Sequence, residues 1–506
     1  MDFVSIIDEY ARTQPEQVAL RAAGQDWTYA ELAQTSRQAA AVLHAQGVVA
    51  GDHVALWALN TPGFVFALFG AWRLGAAVVP VNHKLQAPEV AYILQHAAVR
   101  LCLVDGSLAG LVDRIDTVTR WLSLDSTAAG MDCFDELLAQ AGPHTDDSAA
   151  PGEQTLAEIL YTSGTTGKPK GCLHSHGNLF HTALCAAVST SLTWQDRTLI
   201  AMPIWHSSPL NNWTLGTLLV GGTVVLQREY APQAFIETLA AERITFAFAA
   251  PIALLAPLQM VPNLADYDLS AMRLFTYGGG PLGADMARKL VAGYGTDRFM
   301  QVYGMTESGP LGSVLFPEEA IAKAGSIGRR GTVGVQLQVR RADDSLCTAG
   351  EVGEIHMKSA GMMQGYLDDA EATAAAFDAD GWYRSGDMAR VDEDGYLYIV
   401  DRKNDMIVTG GENVYSREVE DVLSAYPDIA DVAVIGRPHP EWGETVTAFV
   451  QLKPDCTLDE DAIRAFAEAR LARYKIPRIW QVRETLPRTA SGKLLKHKLR
   501  AQIAGN

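Results

Sequence analysis

Tyr161-Thr-Ser-Gly-Thr-Thr-Gly-Lys-Pro-Lys-Gly171 gathers hydroxyl side chains, glycines and two lysines into one short stretch. Gly164 and Gly167 let the backbone turn its N–H groups inward, and Thr162, Ser163, Thr165 and Thr166 add O–H donors. Such a loop suits phosphate oxygens, and Lys168 and Lys170 add charge. In a Walker A loop the lysine is followed by Ser or Thr and opens a helix. Here Pro169 follows Lys168 and disfavours helical geometry, so this is a different loop. A polar surface loop is the plain alternative, but ordinary loops rarely concentrate this composition.

The chain on either side reads as layered α/β structure. Thr28-x-x-Glu31 is a capping box opening a helix that ends near Gly47. A strand His53–Ala58 follows, then a turn at Asn60-Thr61-Pro62, a helix, Gly75, and a strand through Val81. The order recurs as strand Thr198–Met202, a helix through Leu219, Gly221-Gly222, and strand Thr223–Leu226. Two such βαβ-type units predict α/β subdomains with mainly parallel sheets. From about residue 331 short alternating segments appear, Gln336–Arg340 and Gly353–Lys358. Asp394-Gly395 predicts a hairpin turn joining Met388–Val391 to Tyr396–Val400. After Asp401 an α+β pattern is expected: helix 417–425, strands 431–436 and 445–452, helix 458–472, strand 478–483. The fold class expected is therefore α/β. A large N-terminal domain, residues 1–400, holds α/β subdomains and a β-rich subdomain, and residues 401–506 form a small α+β C-terminal domain.

Composition narrows the function classes. The 506 residues are 48% apolar and 20% charged, the balance of a globular protein with ample core. A net charge of −18 argues against general nucleic-acid binding and against attraction to anionic membrane. The excess lies in residues 1–400, while 470–500 is strongly basic, with Glu484 its one acid. That stretch reads either as a solvated basic surface or as a patch receiving phosphates. The six cysteines are scattered without a C-x-x-C pair, which suggests neither disulfides nor zinc and fits a reducing cytoplasm. The N-terminus lacks the basic and apolar regions of a secretory signal. The apolar stretch Phe64–Val81 contains Arg73 and Pro80 and breaks into helix and strand, so no membrane span is expected.

The loop at 161–171 resembles the phosphate loop of the adenylate-forming superfamily: acyl-CoA synthetases, peptide-synthetase adenylation domains and firefly luciferase. Four further segments match the same family in its order, over residues 25 to 500. Tyr303-Gly-Met-Thr-Glu307 is similar to its aromatic-Gly-x-Thr-Glu motif and Tyr383-Arg-Ser-Gly-Asp387 to its nucleotide-binding segment. Asp401-Arg402 with Gly410-Gly-Glu-Asn-Val-Tyr-Ser-Arg-Glu418 resembles the hinge and the strand after it. Pro487-Arg-Thr-Ala-Ser-Gly-Lys493 resembles the C-terminal lysine motif.

The resemblance implies roles. Attack of a carboxylate on the α-phosphate of ATP joins two anions, so the site must neutralise charge and hold an in-line geometry. Glu307 would hold Mg²⁺, a hard cation that prefers carboxylate oxygen. Thr306 and residues 162–166 would donate hydroxyls to phosphate, with Gly167, Lys168 and Lys170 completing the loop. Asp387 would accept from the ribose hydroxyls, with Arg402 on the same sugar. Tyr303 and Gly278-Gly279-Gly280 would bring adenine and the acyl chain close to backbone. Lys493 would bridge carboxylate and α-phosphate oxygens. Gly410 and Gly411 would belong to the strand used in the second step, and the C-terminal domain is expected to swing about Asn404, where relatives usually carry Asp or Lys. His206 matches the family's position beside the acyl pocket; Trp442 and Lys475 are candidates for CoA. Singly, each has a plain reading as capping, surface or packed residue. His174 and His176 alternate like metal ligands, but no third ligand is apparent.

An acyl-CoA synthetase is the leading expectation, with ATP, Mg²⁺ and coenzyme A as cofactors. A stand-alone adenylation enzyme loading a carrier protein and a luciferase-like monooxygenase are the rivals. A nucleotide-binding protein without catalysis is disfavoured by intact Glu307, Asp387 and Lys493. The expected partners are a small-molecule carboxylic acid, ATP and CoA, with a homodimer as the candidate assembly. Trp205–Trp213, Phe248–Ala250, Tyr277–Gly280 and Met305–Ser313 are expected to line the acid pocket. They carry no arginine for a second carboxylate, which points to a medium-chain aliphatic or aromatic monocarboxylate.

Overall fold

The Thr28 hydroxyl accepts from the Glu31 N–H while the Glu31 carboxylate accepts from the Thr28 N–H, opening the helix Tyr29–Ala45 as its capping box requires. The structure, a computed structural model, describes residues 2–116, 120–126, 130–144, 151–162, 169–280, 282–403, 405–409, 412–488 and 494–504. They form two compact units, one built from the chain up to 337 together with 357–383, the other from 338–356 and 384 onward.

The first unit holds both expected βαβ repeats. His53–Trp57 pairs in parallel with Ala77–Pro80 across the helix Pro62–Arg73, and Arg197–Ile200 pairs in parallel with Thr223–Leu226. The second repeat extends to a nine-stranded sheet and the first to an eight-stranded one. The helix Pro62–Arg73 is apolar because it is buried along nearly all its length. Its one charge, Arg73, is buried too, and is paired with Asp8 at 2.6 Å and bonded to the Ser36 hydroxyl. No described helix is long and apolar enough to cross a membrane. The helix expected through Leu219 begins instead as a π-turn, Ser208–Thr214, and becomes α-helical at Leu215–Leu219.

The strands Leu156–Thr162 and Lys170–Ser175 run antiparallel and pair Thr162 with Lys170, Leu160 with Cys172 and Glu158 with His174. Side chains alternate across a sheet, so these six share one face. Ile159, on the other face, packs into an apolar cluster that Tyr161 and Leu173 border. The first of these strands continues the parallel sheet beside Ala77–Pro80, and the second is joined at its edge by Gly365–Tyr366.

In the second unit the Asp394-Gly395 turn joins Tyr383–Val391 to Leu397–Arg402, within a four-stranded sheet. The C-terminal part is the expected α+β pattern around a separate sheet, with Ile429–His439 against Gly443–Leu452. The helix expected over 458–472 is shorter, Glu460–Glu468, and the chain turns again at Arg473–Lys475. Four side chains of the basic tail are paired from within, Lys475–Glu418, Arg488–Asp431, Lys496–Glu420 and Arg500–Asp405, at 2.6–2.9 Å. Lys496 also donates to the Ser416 hydroxyl, and Ser416 donates its N–H and O–H to buried Asp401.

Glu158 is fully buried and neither carboxyl oxygen has a hydrogen-bond partner. Burial pushes its pKa up to about 8; the nearby Asn211 amide works against the rise without closing a hydrogen bond. Below about pH 4 the folded and unfolded chains both hold this proton. From there to about pH 8 only the folded chain keeps it, so stability falls as pH rises through that window. Glu158→Gln removes the difference. Its melting temperature should gain on wild type steadily from pH 5 to pH 8, whereas a constant offset would show that Glu158 does not titrate this way.

Candidate active site

The strands flanking the phosphate loop place Thr162 and Lys170 directly opposite each other, while Ser163, Gly164, Thr165, Thr166, Gly167 and Lys168 lie outside the described residues. The Lys170 ammonium lies 3.5 Å from Asp369 and 5.0 Å from the centre of the Tyr366 ring. Asp369 is fixed in turn as the N-cap of the helix Ala370–Ala376, accepting from the Ala372 N–H at 2.9 Å.

Thr306, Glu307 and Ser308 make a single 3₁₀ turn. Three ties hold it. His174 Nε2 donates to the Thr306 carbonyl at 2.9 Å, the Met363 N–H donates to the Glu307 carbonyl at 2.9 Å, and the Tyr366 hydroxyl donates to Glu307 Oε1 at 3.2 Å. Burial first, then the Glu307 charge, raises the Tyr366 and Tyr383 phenols far above their usual range, so both stay protonated donors. Cys172 shares the hairpin face. Burial, then the charges of Glu307 and Glu158, push its pKa well up and keep it a thiol. The ionised donors at this turn are therefore hard oxygens, as magnesium requires. Among the described residues no three His, Cys, Asp or Glu converge; Glu307 is the residue that would hold the cation.

His174 and His176 are not a metal pair. His174 serves the Thr306 carbonyl, and His176 is buried edge-on against Trp72 at 5.2 Å. His206 is exposed, and the protein packed around its ring lowers its pKa by desolvation. Its neighbour Ser207 lies 3.4 Å from the Thr306 hydroxyl, which ties this loop to the acidic turn. Buried Asn60 clamps the same loop, donating to the carbonyls of Ile200, Met202 and Gln227 and accepting from the Ile204 N–H. Gly278 ends the strand Leu274–Tyr277, and a Cβ there would sit 2.6 Å from the Val302 carbonyl, so only glycine fits. Gly279 takes φ +78°, which also favours glycine, and Gly280 is open. Tyr303 pairs with Ser313 across the antiparallel strands that precede and follow the acidic turn.

In the second unit the hairpin register sets Asp387 opposite Arg402, and the guanidinium Nε lies 3.2 Å from Asp387 Oδ1. Beside them burial would raise Glu354, but hydrogen bonds from His356, Lys403 and the Gly386 N–H outweigh it and bring its pKa to about 2. Trp442 is sandwiched between His439, stacked at 4.2 Å, and the Arg478 guanidinium at 3.9 Å. Both Lys475 contacts fall on the Glu418 carboxylate at 2.7 Å, which commits its charge. Lys493, Asn404, Gly410 and Gly411 lie outside the described residues. Sequence patterns do not point to Tyr366, Asp369 or Glu354, since each reaches its partner from a distant part of the chain.

The model of the AMP-binding enzyme matches residues 7–367, and that of the AMP-binding enzyme C-terminal domain matches 418–493. A feruloyl-CoA synthase from Amycolatopsis is 37% identical, with 97% of each chain covered. An indoleacetate–CoA ligase from Aromatoleum aromaticum is 35% identical over 100% of this chain and 98% of its own. Among solved structures, the o-succinylbenzoate CoA synthetase of Bacillus subtilis bound to its acyl-adenylate intermediate superposes with a TM-score of 0.86 at 31% identity, covering 98% of this chain and 97% of that one. With both halves of its length matched in order, the chain belongs to the AMP-binding enzyme family and is an AMP-forming acid–thiol ligase.

Proposed function

We propose that this CoA ligase activates a monocarboxylate with an uncharged tail, aromatic or medium-chain aliphatic. The observation that carries this is the absence of any lysine or arginine from 205–213, 248–250, 277–280 and 305–313, which would otherwise meet a second carboxylate. The aromatic alternative is favoured by Trp213, whose ring lies 4.9 Å from Phe246 and 5.9 Å from Phe248, and by the feruloyl and indoleacetate relatives, both named for aryl acids.

In the first half-reaction a carboxylate oxygen of the acid attacks the α-phosphorus of ATP and the bond to the β-phosphate breaks, leaving acyl-adenylate and pyrophosphate. Thr162, the hydroxyls of 163–166 and Lys170 hold the phosphates in line, and Lys493 meets the charge that builds between acid and α-phosphate. Asp387, oriented by Arg402, accepts from the ribose hydroxyls. Glu307 would hold the magnesium ion, which would neutralise phosphate charge, while Thr306 donates its hydroxyl to phosphate. In the second half-reaction the CoA sulfur attacks the acyl carbon, the bond to phosphate breaks, and AMP leaves. No covalent bond to the enzyme forms at either step. The His439–Trp442–Arg478 stack offers an aromatic face and a cation to the CoA nucleotide. Residues 401–506 move between the steps about Asn404.

Acid-dependent pyrophosphate release across a panel of aryl and aliphatic mono- and dicarboxylates tests the substrate assignment. Aryl monocarboxylates should head the ranking, and preference for a dicarboxylate would overturn it. Glu307→Gln should raise the Mg²⁺ needed for adenylation, because an amide is a poor ligand for a hard cation; an unchanged Mg²⁺ dependence would remove Glu307 from the site. Lys493→Ala should lose adenylation by ~10²-fold or more while still converting supplied acyl-adenylate and CoA to thioester. Equal loss in both steps would refute its assignment to the first. Asn404→Pro, with φ held near −65°, should separate the two half-reactions, and full retention of both would place the pivot elsewhere.

A further inference from the structure

His174 is completely buried, and its one hydrogen bond among the described residues runs to the carbonyl that begins the acidic turn. A carbonyl can only accept, so the ring proton sits on Nε2, and Nδ1 is bare and without a partner. Burial lowers the imidazole pKa to about 4 despite that hydrogen bond, so the ring is neutral at any working pH. Directly across the hairpin, on the same face, stands the buried carboxyl of Glu158, which also lacks a hydrogen-bond partner. Two unpartnered polar groups are thus kept side by side in the core, at a cost apolar residues would not incur. The turn they underlie is three residues long, too short to hold its own shape. From within the turn region, the Thr306 carbonyl receives only the Gly309 N–H, at 3.1 Å.

We propose that His174 is a positioning residue for the metal-binding turn: its Nε2–H fixes the Thr306 carbonyl and thereby the direction in which the Glu307 carboxylate points. The tie complements the one from Tyr366, which holds the carboxylate itself. Hydrogen bonds of this kind behind a metal ligand commonly govern affinity for the ion. The inference rests on the reading of Glu307 as the magnesium ligand.

The test uses the full-length chain without acid, so that ATP binds but does not react. Isothermal calorimetry measures ATP affinity in EDTA and at a series of Mg²⁺ concentrations. His174→Leu should weaken the Mg²⁺-dependent part of binding by about 10-fold and leave binding in EDTA unchanged. His174→Gln, whose amide donor reaches nearly as far as Nε2, should recover most of the loss. Should the leucine variant fail to fold, His174→Asn, whose donor stops short of the carbonyl, takes its place. A merely structural role would lower both affinities together or leave glutamine no better than leucine, and either result overturns the proposal. Glu307→Gln measured in parallel separates the two readings. If it weakens Mg²⁺-dependent binding and His174→Leu does not, the inference alone falls; if it has no effect, the metal assignment falls with it.

Discussion

The antiparallel ladder between Leu156–Thr162 and Lys170–Ser175 positions the Glu307 turn and the groups around it. Its outer rung presents Thr162 and Lys170 where the phosphate loop leaves and re-enters. Its inner rung buries Glu158 and His174 beneath the acidic turn. The free edge of the second strand takes Gly365–Tyr366 as a further strand, and so delivers the Tyr366 hydroxyl to Glu307. Segments more than a hundred residues apart in the chain are thereby located by one set of backbone hydrogen bonds. The parallel sheet beside it, buried on both faces, makes that reference rigid.

Charge management follows the same economy. Groups whose ionisation would conflict with Glu307 are held neutral by burial: the phenols of Tyr366 and Tyr383 and the Cys172 thiol. Two cations nearby are paired with carboxylates within their own units, Lys170 with Asp369 and Arg402 with Asp387. A site organised in this way has little reorganisation left to do when phosphate charge moves. In the second unit the residues flanking 489–493 are anchored on both sides, Arg488 to Asp431 and Lys496 to Glu420 and Ser416. Ser416 is shared with Asp401, so the same polar network reaches the start of the charged 401–405 run.

Local chemistry makes much of this legible. Thr28 and Glu31 announce their helix, the glycine pairs announce the βαβ turns, and Asp394-Gly395 announces the hairpin whose register sets Asp387 against Arg402. The hairpin around the phosphate loop is harder to see. Its first strand is buried on both faces, so Ala157 to Leu160 shows no polar alternation that would mark a strand. Glu158 interrupts the pattern with a residue type that sequence rules assign to the surface, and only tertiary burial makes it neutral. The π-turn at Ser208–Thr214 has no periodicity of its own. The basic tail misleads in a different way. Its lysines and arginines meet acids far away in the chain, and a net-charge count cannot register such pairings.

That π-turn has a consequence for how the ligase diversifies. A π-turn holds one residue more per turn than an α-turn, and this one bears His206 at its mouth and Asn211, Asn212 and Trp213 along its buried wall. Deleting a single residue would restore ordinary helix and swing each following side chain by about 100° around the axis. The strands on either side, Arg197–Ile200 and Thr223–Leu226, would keep their pairing. The wall can therefore be re-dealt by a one-codon change, an evolutionary step far shorter than the run of substitutions needed to resculpt a regular helix.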